Sequence, residues 1–148
     1  MSPALLPGMS PEPAADSPAP HVVGASYEFD EVRRAHGGDP KPPNFVLHRE
    51  GKVIGVCLGL GWHPRAEGEP CEVWVGRKGD QAKWGIKLAE TKGPLPVYVR
   101  RTEGGPWFYQ GRYEVTSATT DPALIRPRLQ PPKIVAVAQV VFLRKLPA

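Results

Sequence analysis

Residues 96–115 read PVYVRRTEGGPWFYQGRYEV, and whether this stretch forms strands decides the fold. Before the glycines, Val97 and Val99 alternate with Tyr98 and Arg100. After them, Trp107, Tyr109, Tyr113 and Val115 fall on one face, with Phe108, Gln110, Arg112 and Glu114 on the other. Period-two alternation on both sides of a Glu-Gly-Gly-Pro turn predicts a β-hairpin. The face of Trp107, Tyr109, Tyr113 and Val115 reads as core, while Arg100 and Arg112 project from the opposite side.

Downstream, Thr116–Thr120 extends the second strand until Asp121-Pro122 breaks it. Residues 126–132 form a basic, proline-rich loop. IVAVAQVVFL (134–143) reads as a strand, although its apolar run also fits a buried helix. Upstream, Asp80 to about Lys92 reads as a helix that Asp80 caps, Gly93 terminates and Pro94 cannot continue. Ala82, Ile86 and Ala89, with Gly85 beside them, make its inward stripe, and Trp84 and Leu88 a neighbouring one. Cys71–Val75 is a strand that leads into the basic turn Gly76-Arg77-Lys78-Gly79. Before it, residues 61–70 form a loop exposing Trp62, His63 and Arg65.

Asn44–His48 and Lys52–Leu60 pair as strands, the second apolar on both faces and hence central. Gly55, Gly59 and Gly61 along it mark a bulge, a bend, or close approach of a ligand or another backbone. Ser26 caps a short helix that ends at Gly37-Gly38, with Phe29 and Val32 facing inward. Residues 1–20 hold six of the nineteen prolines and read as a disordered tail or linker.

A chain of 148 residues, 41% hydrophobic, is long enough for one domain with a real core, spanning 21–148. Sixteen glycines and nineteen prolines favour short strands over long helices, so the class is α+β and β-rich. The formal charge is +4; the first twenty residues hold Glu12 and Asp16 and no base, so residues 21–148 carry +6. That balance suits a polyanionic partner and equally suits plain solubility. Cys57 sits in an apolar run as a small hydrophobe, and a bridge to Cys71 would need an oxidising compartment. Neither a secretory signal nor an apolar run long enough for a membrane helix is present, which points to a soluble, cytoplasmic protein.

Catalysis finds little support. The order His48, Cys57, His63, Cys71 lacks the close ligand pairs of a zinc site, and no nucleotide-loop, hydrolase or metalloprotease motif occurs. The aromatic and basic residues say more. Trp62, Trp74, Trp84, Trp107, Tyr98 and Tyr109 are many large rings for a small β domain. Unstacked bases are held between such faces, and Arg65, Arg77, Lys78, Arg100, Arg101 and Arg112 suit phosphates. The competing reading makes the rings core and the charges a solvated face.

From Trp74 to Val115 the chain shows a Trp-bearing segment, a helix, LPVYVRR, a glycine turn and WFYQGRYEV. This arrangement resembles the PUA-like group of modified-base readers, which includes the SRA, EVE and YTH domains; in bacteria these are often attached to HNH-type nucleases. The resemblance implies a small curved mixed sheet or partly open barrel with two short flanking helices. It also implies a non-catalytic, cofactor-free and metal-free module that binds DNA carrying a modified base, beside an attached or partner nuclease. A flipped base would then lie against Trp62 or Trp84, with Asp80, Asn44 or His63 reading its edge. The arginines and Lys78 would hold the backbone, and Tyr27 and Phe29 would close one side. The alternative is a small β-rich protein-interaction or small-ligand domain with no nucleic-acid role.

Overall fold

The computed structural model describes residues 21–40 and 45–147; the proline-rich tail and Asn44 lie outside the described residues. In chain order the elements are β1 (Ser26–Tyr27), α1 (Phe29–His36), β2 (Val46–Arg49), β3 (Lys52–Gly59), β4 (Cys71–Gly76) and α2 (Gly79–Ala89), followed by β5 (Leu95–Arg100), β6 (Trp107–Thr119), α3 (Pro122–Ile125), a single 3-10 turn (Arg126–Arg128) and β7 (Val137–Lys145). The strands form one mixed sheet in the order β2-β3-β5-β6-β7-β4, with β1 added on β6. Only β3 and β5 run parallel. Their connection carries β4 to the far edge of the sheet. Because α2 touches β3 as well as β4, β6 and β7, the sheet curls around it into a half-barrel.

The hairpin forms where its alternation predicts, but its two ends face different cores. Val97 pairs with Gly111 and Tyr98 with Tyr109, so Gln110 is an extra residue on β6. An inserted residue reverses the facing of everything beyond it. Tyr113 joins Leu95, Val97, Val99, Trp84 and Leu88 in the main core inside the half-barrel, with Val115 packed against it. Trp107 instead joins Tyr98, Cys57, Leu47 and Val32 in a second core on the outer face, with Tyr109 packed against it. The expected single face of Trp107, Tyr109, Tyr113 and Val115 is therefore split. Gly111 makes this possible with φ +110°, a backbone shape that L side chains rarely adopt.

Helix α2 approaches the sheet through Gly85, where a Cβ would lie 2.4 Å from Val75 Cγ1. That contact puts Trp84, Gly85 and Leu88 inside and leaves Ile86 exposed, against the stripe read from spacing. The helix starts one residue earlier than expected and ends at Ala89, with Glu90 rather than Gly93 at its C-cap. Lys78 takes the cap position, and Asp80 makes no capping bond but lies in the first turn, where a negative charge is favourable. Similarly, Ser26 pairs with Phe108 as part of β1, and α1 starts from a Glu28–Glu31 capping box. The last strand begins at Val137, after a lone bridge between Gln130 and Ile134, and it is a strand rather than a helix. Gly55 is needed because Leu47 Cδ1 and the Pro96 carbonyl crowd its Cβ position at 2.9 and 3.3 Å.

Helix α1 is fastened over the second core by a polar clasp. The Tyr98 hydroxyl lies 2.7 Å from His36 Nε2 and 2.6 Å from His21 Nδ1, and the His21 ring stacks on Tyr27 at 3.6 Å. One hydroxyl can donate to one imidazole and accept from the other, so both rings are served while neutral. Burial, then the neighbouring His21, lowers the His36 pKa from 6.5 to about 4, and burial also lowers that of His21.

Two outcomes follow for stability. A lowered histidine pKa means the unfolded chain takes up protons first, so stability should fall as pH drops from 6.5 toward about 4. In pH-resolved denaturation, His36→Gln, which keeps a polar atom near Tyr98 but cannot titrate, should flatten that slope. Gly111→Ala should cost ~1–3 kcal/mol in urea unfolding, because it forces a strained backbone at the bulge. An unchanged midpoint would show that the bulge is absent in solution.

Candidate functional site

Four chain segments meet around a cavity of about 970 Å³. They are the end of β3 with residues 59–63, the basic turn after β4, the tip of the β5–β6 hairpin, and residues 133–137. Gly59 leaves open space at its Cβ position, and Gly61 lies under Lys133, whose Nζ would be 2.8 Å from a Cβ there. The floor is aromatic: Phe45, His63, Trp74 and Trp107 are all buried and all line the cavity. Trp62 stands at the mouth, 58% exposed, with Lys133 Nζ 4.6 Å from its ring centre.

His63 is buried rather than displayed on an exposed loop. Its Nδ1 accepts the Trp74 backbone N–H at 3.0 Å, an amide on the outer side of edge strand β4. That bond leaves the ring proton on Nε2, and burial lowers the pKa from 6.5 to about 4, so the ring is neutral at physiological pH. The Trp74 indole N–H donates to Glu72 Oε1 at 3.0 Å. Glu72, only 4% exposed, also accepts from Arg128 at 2.8 and 3.1 Å and from Arg65 at 3.2 Å. Burial pushes its pKa up, but the bonds from Arg128, Trp74 and Arg65 outweigh it and hold the carboxyl below its usual range.

Around the rim stand Arg77, Lys78, Arg100, Arg101 and Lys133, opposed by the one acid Glu103. Arg100 lies over Trp107 at 4.6 Å and donates Nε–H to the Gly105 carbonyl at 3.0 Å, which fixes the guanidinium. Arg101 is shared: it donates twice to Glu67 and covers Phe108. Among the described residues, Arg77, Lys78, Arg100 and Lys133 form no ion pair. Like charges gathered without counter-charge raise the local potential and favour an anionic visitor.

Of the residues singled out in the sequence, Trp62, His63, Arg77, Lys78, Arg100 and Arg101 come together here. Four others do not line the cavity. Arg65 is committed to Glu72, and Asp80 sits in the first turn of α2. Trp84 is core, stacked on His48 at 4.5 Å, and Arg112 is exposed on β6. Asn44 lies outside the described residues, next to Phe45, which lines the cavity. Phe29 reaches the cavity but Tyr27 does not. Lys133, Gln81 and Thr102 were not anticipated; Trp74 was readable as a ring pointing away from Val73 and Val75. Cys57 and Cys71 are free and buried in different cores, and burial raises both thiols, Cys71 to about 12. Among the described residues no cluster of three or more His, Cys, Asp or Glu could hold a metal, and no helix is long and apolar enough to cross a membrane.

No family model matches the chain, and no curated protein does. Among solved structures, the SRA domain of SUVH5, determined in complex with hemimethylated CG DNA, matches over 89% of this chain and 92% of that one. The TM-score is 0.55 and the identity 14%. The chain therefore shares the fold of that SRA domain, the kind of fold that the arrangement from Trp74 to Val115 implied.

The Glu72 cluster is testable by itself. Glu72→Ala strands Arg128 and the Trp74 indole, and should cost roughly 2–4 kcal/mol in chemical denaturation. Because the folded pKa is depressed, this contribution is present above about pH 4.5 and should vanish as pH falls through the carboxylate range.

Proposed function

We propose that this SRA-like fold serves as a nucleic-acid-binding module without chemistry of its own, taking a modified base flipped out of DNA into the cavity. The observation that carries this reading is the coincidence, in one concavity, of a buried aromatic floor and a rim of uncompensated cations. An extruded base would lie over the floor or against Trp62, where stacking contributes ~1–3 kcal/mol per base. Arg77, Lys78, Arg100 and Lys133 would take the flanking phosphates, and each neutralised phosphate releases counterions. The likeness to a DNA-bound SRA domain supports DNA as the polymer. Any cleavage would come from an attached or partner nuclease.

Fluorescence anisotropy on short duplexes, plain or carrying 5-methyl, 5-hydroxymethyl or N6-methyl bases, tests this directly. Binding should depend on the modification and weaken steeply with salt. Arg77→Ala or Lys133→Ala should weaken binding to every sequence alike and reduce the log–log salt slope by about 1 each. Trp62→Ala should cost ~1–3 kcal/mol if the base stacks there. No binding to any oligonucleotide at low salt would sink the reading and favour a small-ligand or protein-interaction domain.

A further inference from the structure

A second, smaller cleft of about 420 Å³ adjoins the cavity and shares Arg77 and Val137 with it. Its other walls are Thr120 just beyond β6, α3, Arg126 in the 3-10 turn and the start of β7. Among the described residues, no aromatic ring and no acid lines it. Asp121, the acid beside it in sequence, turns its carboxylate onto the Ala123 N–H at 2.9 Å. Arg126 is exposed and, like Arg77, forms no ion pair among the described residues. The turn that presents Arg126 is held firmly from two sides. Ile125 is buried in a third core with Trp74, Ile134, Val137 and Val140, and Arg128 donates to Glu72 at 2.8 Å and to the Leu124 carbonyl at 2.6 Å. Glu72 also accepts from the Trp74 indole, so one buried carboxylate fixes both a floor ring of the cavity and the turn that carries Arg126. The two hollows differ in character: rings line the first, and arginines with a hydroxyl on an aliphatic bed line the second.

Resting on the base-flipping reading above, we propose that the strand carrying the extruded nucleotide leaves the cavity in one direction, across Arg77 into this cleft, where Arg126 and Thr120 hold its next phosphates. A cleft without rings gives a base nothing to stack on, whereas guanidinium and hydroxyl groups are common partners of phosphate oxygens. Arg77 borders both hollows and so stands where the backbone passes from one to the other. The opposite rim, at the tip of the β5–β6 hairpin, suits a backbone less well: Glu103 stands there, and Arg101 is engaged by Glu67. Because Ile125 and Arg128 fix the turn before any ligand arrives, binding has little backbone ordering to oppose it at Arg126. The footprint on DNA is therefore one-sided, extending further along one flank of the modified base than along the other.

The test uses anisotropy titrations over a range of salt, with duplexes carrying one 5-methyl, 5-hydroxymethyl or N6-methyl base at the centre or close to either end. On the central duplex, Arg126→Ala should lower the log–log salt slope by about 1, and Arg126→Lys should restore most of it. Placing the modified base close to one end removes the phosphates that would reach the cleft. There the parent's slope should already be lower and Arg126→Ala should change nothing further, while placement at the other end should behave like the central duplex. Lys52→Ala removes a charge from an exposed residue that lines neither hollow, and should leave the slope near the parent's. A slope unmoved by Arg126→Ala on the central duplex, or an equal effect of that variant at both ends, overturns the one-sided path. If Arg77→Ala and Lys133→Ala still lower the slope and binding still depends on the modification, the base-pocket reading survives that failure. If no duplex shows a preference for its modified base, that reading falls together with the proposal.

Discussion

One extra residue in one strand determines how this molecule is built. The insertion at Gln110, relaxed through the left-handed Gly111, turns β6 over midway along its length. The half of β6 from Gly111 onward can then close the main core with Tyr113, while Trp107 and Tyr109 support the opposite face. Without the reversal, Trp107 would compete with Trp84 and Leu88 for space inside the half-barrel, and the cavity would lose part of its floor. The two halves of β6 thus pack on opposite faces of the sheet, and the cavity floor takes its ring from the Trp107 half.

The site follows from that division. Trp107 supports Arg100 from below, and Trp74 is held by Glu72, so the rings of the floor are positioned by charge-assisted contacts as well as by packing. Glu72 draws its counter-charges from a loop on one side and the 3-10 turn on the other, which fastens two distant stretches of chain to β4. The rim works differently. There Arg77, Lys78, Arg100 and Lys133 are left without acidic partners among the described residues, so no ion pairing offsets their mutual repulsion and the local potential favours an anion.

Much of this was legible in the sequence because it depends on neighbours along the chain. The Pro96–Val115 hairpin and the strand at Cys71–Val75 announce themselves through period and turn glycines, and the presence of a helix after Gly79 is readable although its inward stripe and its end at Ala89 are not. The resemblance drawn from those segments led to the fold that the SUVH5 comparison supports. Features that depend on long-range pairing were not legible. The bulge is defined by the register of Tyr98 against Tyr109, and nothing within residues 107–115 states that register. His63 looks like an exposed loop residue until β4 supplies an unpaired amide for it. Trp84 and Trp107 are indistinguishable as rings, and only the close approach at Gly85 and the register of β6 send them into different cores. Lys133 joins a cavity whose other walls come from segments distant in sequence.

The contact that buries His63 also has a consequence at the rim of the sheet. β4 is an edge strand, and its outward amides at Glu72 and Trp74 are both taken by the preceding loop, through the Arg65 carbonyl and His63 Nδ1. At the opposite edge, the His48 carbonyl of β2 accepts the Asp39 amide. A free strand edge is a template on which another chain can add and propagate into aggregates. Here the loops occupy those three positions, which shortens the stretch of edge open to such pairing in a barrel that stays half closed.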